Sequence, residues 1–152
     1  MINKVFLIIF IFLNCPLVFA ESYIKASNGI VWDKNNKMYS AEGNAEFKND
    51  VMTAYANKII AFYDIEDGKE IFQTVDLNKN VKIFYGDEVF TSETATYSKL
   101  TSTINLYGNV IIVSPDRYLS GDELLVDIEN NTRVLKTNGS DDSLAEALIK
   151  NE

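Results

Sequence analysis

Residues two apart share their chemistry along 39–48 of this chain. Tyr39, Ala41, Gly43, Ala45 and Phe47 fall on one side of an extended backbone, and Ser40, Glu42, Asn44, Glu46 and Lys48 fall on the other. A period of two belongs to a β-strand, because a helix would scatter these residues around its axis. One face is apolar or small and the other polar, which describes a half-buried strand. The same alternation returns further along. Ile104, Leu106, Gly108, Val110 and Ile112 share a face; Val81, Ile83 and Tyr85 oppose Lys82 and Phe84. Met52, Ala54 and Ala56 oppose Val51, Thr53 and Tyr55.

A marker accompanies the pattern. Asn44, Asn80 and Asn109 each open a run of alternating residues, and a second strand-like run follows each. Lys48-Asn-Asp50, Tyr85-Gly-Asp87 and Ser114-Pro-Asp116 carry turn chemistry between the runs. The unit is strand, short turn, strand. Its spacing is irregular, which argues against a solenoid of identical rungs. The expectation is an all-β body of about ten to a dozen short antiparallel strands, forming a jelly roll or flattened barrel of two facing sheets.

The ends differ from the body. Lys4 precedes an apolar run over 5–13, and Val18-Phe19-Ala20 offers a cleavage signal before Glu21. Residues 1–20 therefore read as a secretory signal peptide cleaved after Ala20, and 21–138 as one exported domain. Residues 139–152 form a tail. A frayed terminus is the expectation there, with two helical turns over 143–150 as the alternative.

Composition removes whole classes of function. The chain has 14 Lys+Arg against 22 Asp+Glu and a net charge of −8, so it repels nucleic acid and anionic membrane surfaces. It has no histidine, and its single cysteine, Cys15, lies within the leader. Imidazole and thiolate chemistry are thus absent from the exported body, in catalysis and in metal binding alike. Carboxylates remain, but no spacing singles out a catalytic pair. The acidic groups Asp64, Glu66, Asp67 and Asp141, Asp142 lack calcium-loop spacing and read as solvated turns. The expectation is a protein without catalysis, cofactor or metal.

Two stretches carry a resemblance to a known family. Ser40-Ala-Glu-Gly-Asn-Ala45 followed by Thr53-Ala-Tyr-Ala-Asn-Lys-Ile-Ile60 resembles the LptA and OstA-like lipopolysaccharide-transport proteins of the Gram-negative periplasm. So does Asn105-Leu-Tyr-Gly-Asn-Val-Ile111 followed by Leu119-Ser-Gly-Asp-Glu-Leu124. The resemblance covers roughly 30–136. It implies a twisted, V-shaped jelly roll with open ends, which binds lipopolysaccharide acyl chains between its sheets. It also implies head-to-tail pairing of copies and partners of the LptC type at the inner membrane and the LptD type at the outer membrane. The middle repeat departs from the pattern, with Lys79-Asn80 where the others have Gly-Asn, and the acidic tail leaves the C-terminal partner open.

The residues suit such a slot. Small side chains at Ala41, Ala45 and Ala54 leave room between sheets, and Gly43, Ala56, Ser92, Gly108 and Gly121 recur at similar inward positions. Trp32, Phe47, Met52, Ile83, Tyr97 and Leu106 supply apolar walls, with Val110, Ile112 and Leu119 beside them. Each buried methylene of a lipid is worth about 0.8 kcal/mol, so no catalytic group is required. Lys82, Lys99, Arg117 and Arg133 are the candidates for meeting lipid phosphates at the mouth. Two other readings stay open: an LptC-like component that keeps its N-terminal anchor, and a structural β adaptor whose interior is simply filled.

Overall fold

The computed structural model describes residues 21–139 and 145–150. Within them lie ten strands and no helix. They are β1 (Tyr23–Lys25), β2 (Gly29–Asp33), β3 (Met38–Lys48), β4 (Thr53–Glu66) and β5 (Lys69–Tyr85). β6 (Glu88–Ser98), β7 (Thr103–Ser114), β8 (Arg117–Asp127), β9 (Thr132–Lys136) and β10 (Glu146–Ile149) complete the chain. Every pairing is antiparallel, in the order β1-β3-β4-β5-β6-β7-β8-β10, with β2 also on β3 and β9 also on β8. First and last strands do not meet, so the sheet is open.

Strands β3 to β8 are long, and each of the five pairings between them is interrupted. Register shifts fall between Glu42 and Ala45, Tyr55 and Lys58, Asn78 and Val81, Thr91 and Thr94, and Tyr107 and Val110. Together they draw one line of bulges across β3 to β8. The repeated asparagines build it. Gly43 and Asn44 have φ of 83° and 41°, Lys79 and Asn80 have 64° and 54°, and Gly108 and Asn109 have 81° and 48°. Two successive left-handed residues bend a strand sharply, and glycine and asparagine adopt that conformation at least cost. At Gly43 a Cβ would stand 2.5 Å from the Asn28 side chain, so a larger residue there would have to displace it.

This crease divides the sheet into two halves that face each other. The upper half comprises β1, then 45–48, 53–56, 81–85, 88–92, 110–114 and 117–121, and β10. The lower half comprises β2, then 38–42, 58–66, 69–78, 94–98, 103–107 and 123–127, and β9. The expected two facing sheets are thus one sheet folded along its own bulges. Their inner faces form a single cluster that includes Phe47, Ile83, Phe90 and Ile112 above and Ile59, Leu77, Ile104 and Leu106 below, each at most 1% exposed.

The tail differs from both sequence expectations. Its residues 146–149 form a strand that pairs with β8, Glu146 opposite Ser120 through Ile149 opposite Arg117. An unpaired edge of β8 offers a row of backbone donors and acceptors, which outweighs the weak helical tendency of an isolated eight-residue stretch. The leader and Asp141 and Asp142 lie outside the described residues.

Candidate functional site

Alternation and the crease together aim the apolar side chains inward. Of the residues expected to line a slot, Ala41, Ala45, Phe47, Ala54, Ile83, Leu106, Val110 and Ile112 are 0% exposed, and Met52 and Tyr97 are nearly so. Leu119 packs half-buried against this cluster. All face the space between the halves, where the buried ones belong to one packed cluster. Gly43 and Gly108 lie in the crease itself and not on an inner wall. Ser92 is the one buried polar side chain among the described residues, and its hydroxyl donates to the Thr94 carbonyl at 2.9 Å.

Trp32 behaves differently. It lies on edge strand β2 and remains 49% exposed, with Ile30 beside it at 44%. Its ring stacks on Tyr39 at 5.8 Å, and its indole nitrogen donates to the Tyr63 hydroxyl at 3.0 Å. Tyr39 in turn meets Tyr63 at 5.4 Å and the edge of Phe72 at 5.9 Å. Phe72, in the lower half, meets Phe47 of the upper half edge-on at 5.3 Å. The N-terminal end of the interior is therefore lined by a chain of aromatic rings that reaches the protein surface. Burial, with a hydrogen bond to Glu70 at 2.6 Å, pushes the Tyr39 hydroxyl up to about 12.

Beside these rings the gap between the halves opens into a cavity of about 410 Å³. Asn49, Asp50 and Val51 of the β3–β4 turn form one side, and Phe72, Tyr97 and Lys99 the other. Burial first, and the charge of Asp50 second, raise the Tyr97 hydroxyl above its ordinary value.

The expected phosphate contacts scatter. Lys82 alternates with buried Val81 and Ile83, so it stands on the outer face, 5.1 Å from the Phe84 ring centroid and away from the mouth. Lys99 lies at the mouth and faces Glu66 at 3.6 Å. Arg117 is paired with its neighbour Asp116 at 2.8 Å, which holds that carboxyl at about 2. Arg133, on β9, points inward and reaches Glu88 of the opposite half. Sequence spacing gave no sign of Glu88, because its partner lies 45 residues away across the fold.

No metal site takes shape. Asp64 pairs with Lys37, Glu66 faces Lys99 and accepts a hydrogen bond from Gln73, and among the described residues no three metal-ligating side chains converge.

A creased, open antiparallel sheet with an apolar interior is the setting in which comparison becomes informative. The family model described as LptA/(LptD N-terminal domain) LPS transport protein matches residues 23–132. The chain belongs to that family. Its fold is also that of LptH, the LptA homologous periplasmic component of the lipopolysaccharide transport device of Pseudomonas aeruginosa. The crystal structure of LptH superposes with a TM-score of 0.72 over 87% of this chain and 96% of that one, at 11% identity. Among curated proteins none matches by sequence. Membership thus rests on the family pattern, and the structural likeness confirms the fold.

Proposed function

We propose that this protein is a non-catalytic periplasmic carrier of lipopolysaccharide that passes acyl chains along the space between its half-sheets. The observation that carries this reading is the predominantly apolar lining, broken at Ser92, from the Trp32 ring at one end to Leu124 and Val126 at the other. In the closed state described here that lining is packed on itself. Acyl chains enter as the halves part about the crease, exchanging side-chain contacts for lipid contacts of similar energy.

Its ends suit assembly. Each half-sheet finishes in a short strand paired on one side: β1 and β2 at the N-terminal end, β10 and β9 at the other. Free edges recruit further strands, so copies join head to tail, with LptC-like and LptD-like domains closing the row between inner and outer membranes. Such heterologous contacts need not close, and the assemblies are open rods.

The filled interior favours a second reading, a structural adaptor that pairs through its edges and carries no lipid. In-cell photo-crosslinking separates the two, with a probe placed in turn at Trp32, Phe47 and Ile83 and at outward-facing Glu46. Lipopolysaccharide adducts at the three inward positions and none at Glu46 are expected of a carrier. Uniform labelling, or none, leaves the adaptor.

A further inference from the structure

Among the described residues, the Arg133–Glu88 ion pair crosses the interior. Lys37–Asp64, Lys58–Glu42, Lys99–Glu66 and Arg117–Asp116 each stay within a single half-sheet, and all have side chains more than 40% exposed. Arg133 and Glu88 join the lower half to the upper, and their side chains are 20% and 16% exposed. Arg133 donates to Glu88 Oε2 through Nε at 3.0 Å and Nη2 at 2.5 Å, and through Nη1 to Asn131 Oδ1 at 2.7 Å. The Tyr85 ring lies 5.4 Å from the guanidinium carbon.

This bridge sits on a short edge strand. β9 has five residues, pairs with β8 alone and presents alternate side chains to solvent. Leu135 provides its other hold on the upper half, resting where Gly121 has no Cβ; a Cβ there would stand 2.9 Å from that side chain. Beside the bridge is a cavity of about 340 Å³ lined by Glu88, Arg133, Arg117, Asp116, Ser114 and Asn131, with Asp87 at its edge. The acids there outnumber the two guanidinium groups. An anion entering this cavity would therefore have to displace a carboxylate instead of adding to the site.

We propose that Glu88–Arg133 is a latch at the C-terminal mouth of the interior, and that the phosphate of an anionic amphiphile opens it by taking Glu88's place on Arg133. Both bonds from the guanidinium fork now fall on one carboxylate oxygen, leaving the second outside the pair. A phosphate presents two oxygens to the same fork, the geometry that guanidinium groups bind best. Acyl chains beneath that headgroup then meet the inner faces that the latch had held together. The exchange couples recognition of the headgroup to opening of the slot. This inference rests on the lipid-carrier reading and adds to it a phosphate requirement and a place for it.

Nitroxides at outward-facing Val113 (β7) and Val134 (β9) report the gap by electron–electron distance measurement. The probes are a bis-phosphorylated lipid A and the same lipid with its phosphates removed, added to the full exported chain. The phosphorylated lipid is expected to lengthen the distance and to bind at least about five-fold more tightly than the dephosphorylated one, a coupling of ordinary size. Glu88→Gln is expected to lengthen the distance without lipid and to tighten binding of the phosphorylated form. Arg133→Gln is expected to open the gap as well but to bind both lipids alike. Arg133→Lys keeps the charge without the fork, is the milder change for folding, and is expected to retain part of the preference. Equal binding of both lipids by the unmodified protein and by Glu88→Gln overturns the latch while leaving the carrier standing. Failure of both lipids to bind the unmodified protein removes the carrier reading and the latch together.

Discussion

The two ends of the interior are closed in different ways. At the N-terminal end the halves meet through rings, Phe47 against Phe72, with Tyr39, Tyr63 and Trp32 extending the contact to the surface. At the C-terminal end they meet through the Glu88–Arg133 pair and the fit of Leu135 over Gly121. Ring contacts are non-directional enough to re-form around an acyl chain, whereas an ion pair has one good geometry and one kind of competitor. One end is therefore adhesive and adaptable, the other specific. The fold supplies the same two half-sheets at both ends; the side chains at the mouths make the difference.

The comparison can be broken first at the ring end. Phe47→Ala removes a fully buried ring that touches the opposite half, and a loss of about 3–5 kcal/mol is expected from denaturant unfolding. At the other end Gly121→Val forces a side chain into Leu135 and the Lys136 carbonyl, both within 3.0 Å of the added Cβ. Overpacking of this kind costs about 1–3 kcal/mol, so Gly121→Val should lower the unfolding midpoint by less than Phe47→Ala does. A Gly121→Val protein as unstable as Phe47→Ala would show that the two ends are not held so differently.

The crease, common to both ends, gives a smaller effect of opposite sign. Lys79 holds φ of 64° where the other repeats have glycine, a conformation that costs a non-glycine residue roughly 1–2 kcal/mol. Lys79→Gly should therefore stabilise the protein by up to about 1 kcal/mol, the remainder being lost to the freer unfolded chain. A destabilised Lys79→Gly protein in the same unfolding experiment would count against a strained crease at this repeat.

Acid and alkali should sort the ends by the smallest effects. Tyr39 is raised from 10.0 to about 12 in the folded protein, so its contribution is whole below pH 10 and is lost as pH rises towards 12. Asp116 is lowered from 3.8 to about 2, so its contribution is present above pH 3.8 and is lost as pH falls towards 2. The fluorescence of Trp32, stacked on Tyr39, is expected to change on the alkaline side of this profile. Tyr39→Phe should flatten the alkaline limb and leave the acid limb as it was.

Much of this was legible in the chain. Alternation in 39–48 and 104–112 picked out Ala41, Ala45, Phe47, Ile104, Leu106, Val110 and Ile112, all buried, while Gly43 and Gly108 of the same series fell in the crease. Asn44, Asn80 and Asn109 were visible as a recurring mark, but their work was not: consecutive left-handed residues cannot be read from letters when one of them is Lys79. The tail misled, since Leu144, Ala145, Ala147 and Leu148 suit a helical face as well as a strand, and the edge of β8 decided between them over 146–149. Lys82 and Arg133 looked equivalent as cations. Alternation with Val81 and Ile83 already placed Lys82 outside, but only the folding of the sheet put Arg133 opposite Glu88, and no local spacing encodes a contact across the crease.

The line of bulges has a consequence for how such a molecule can move. Six strands bend at one shared axis, so the interior cannot widen at one strand without tilting its neighbours. Opening about that axis is therefore expected to be a single cooperative coordinate, like the turning of a bound page, in which a displacement at β9 tilts the strands as far as β3. In a molecule hinged in this way, occupancy of one mouth is expected to be felt at the other without a separate communicating part.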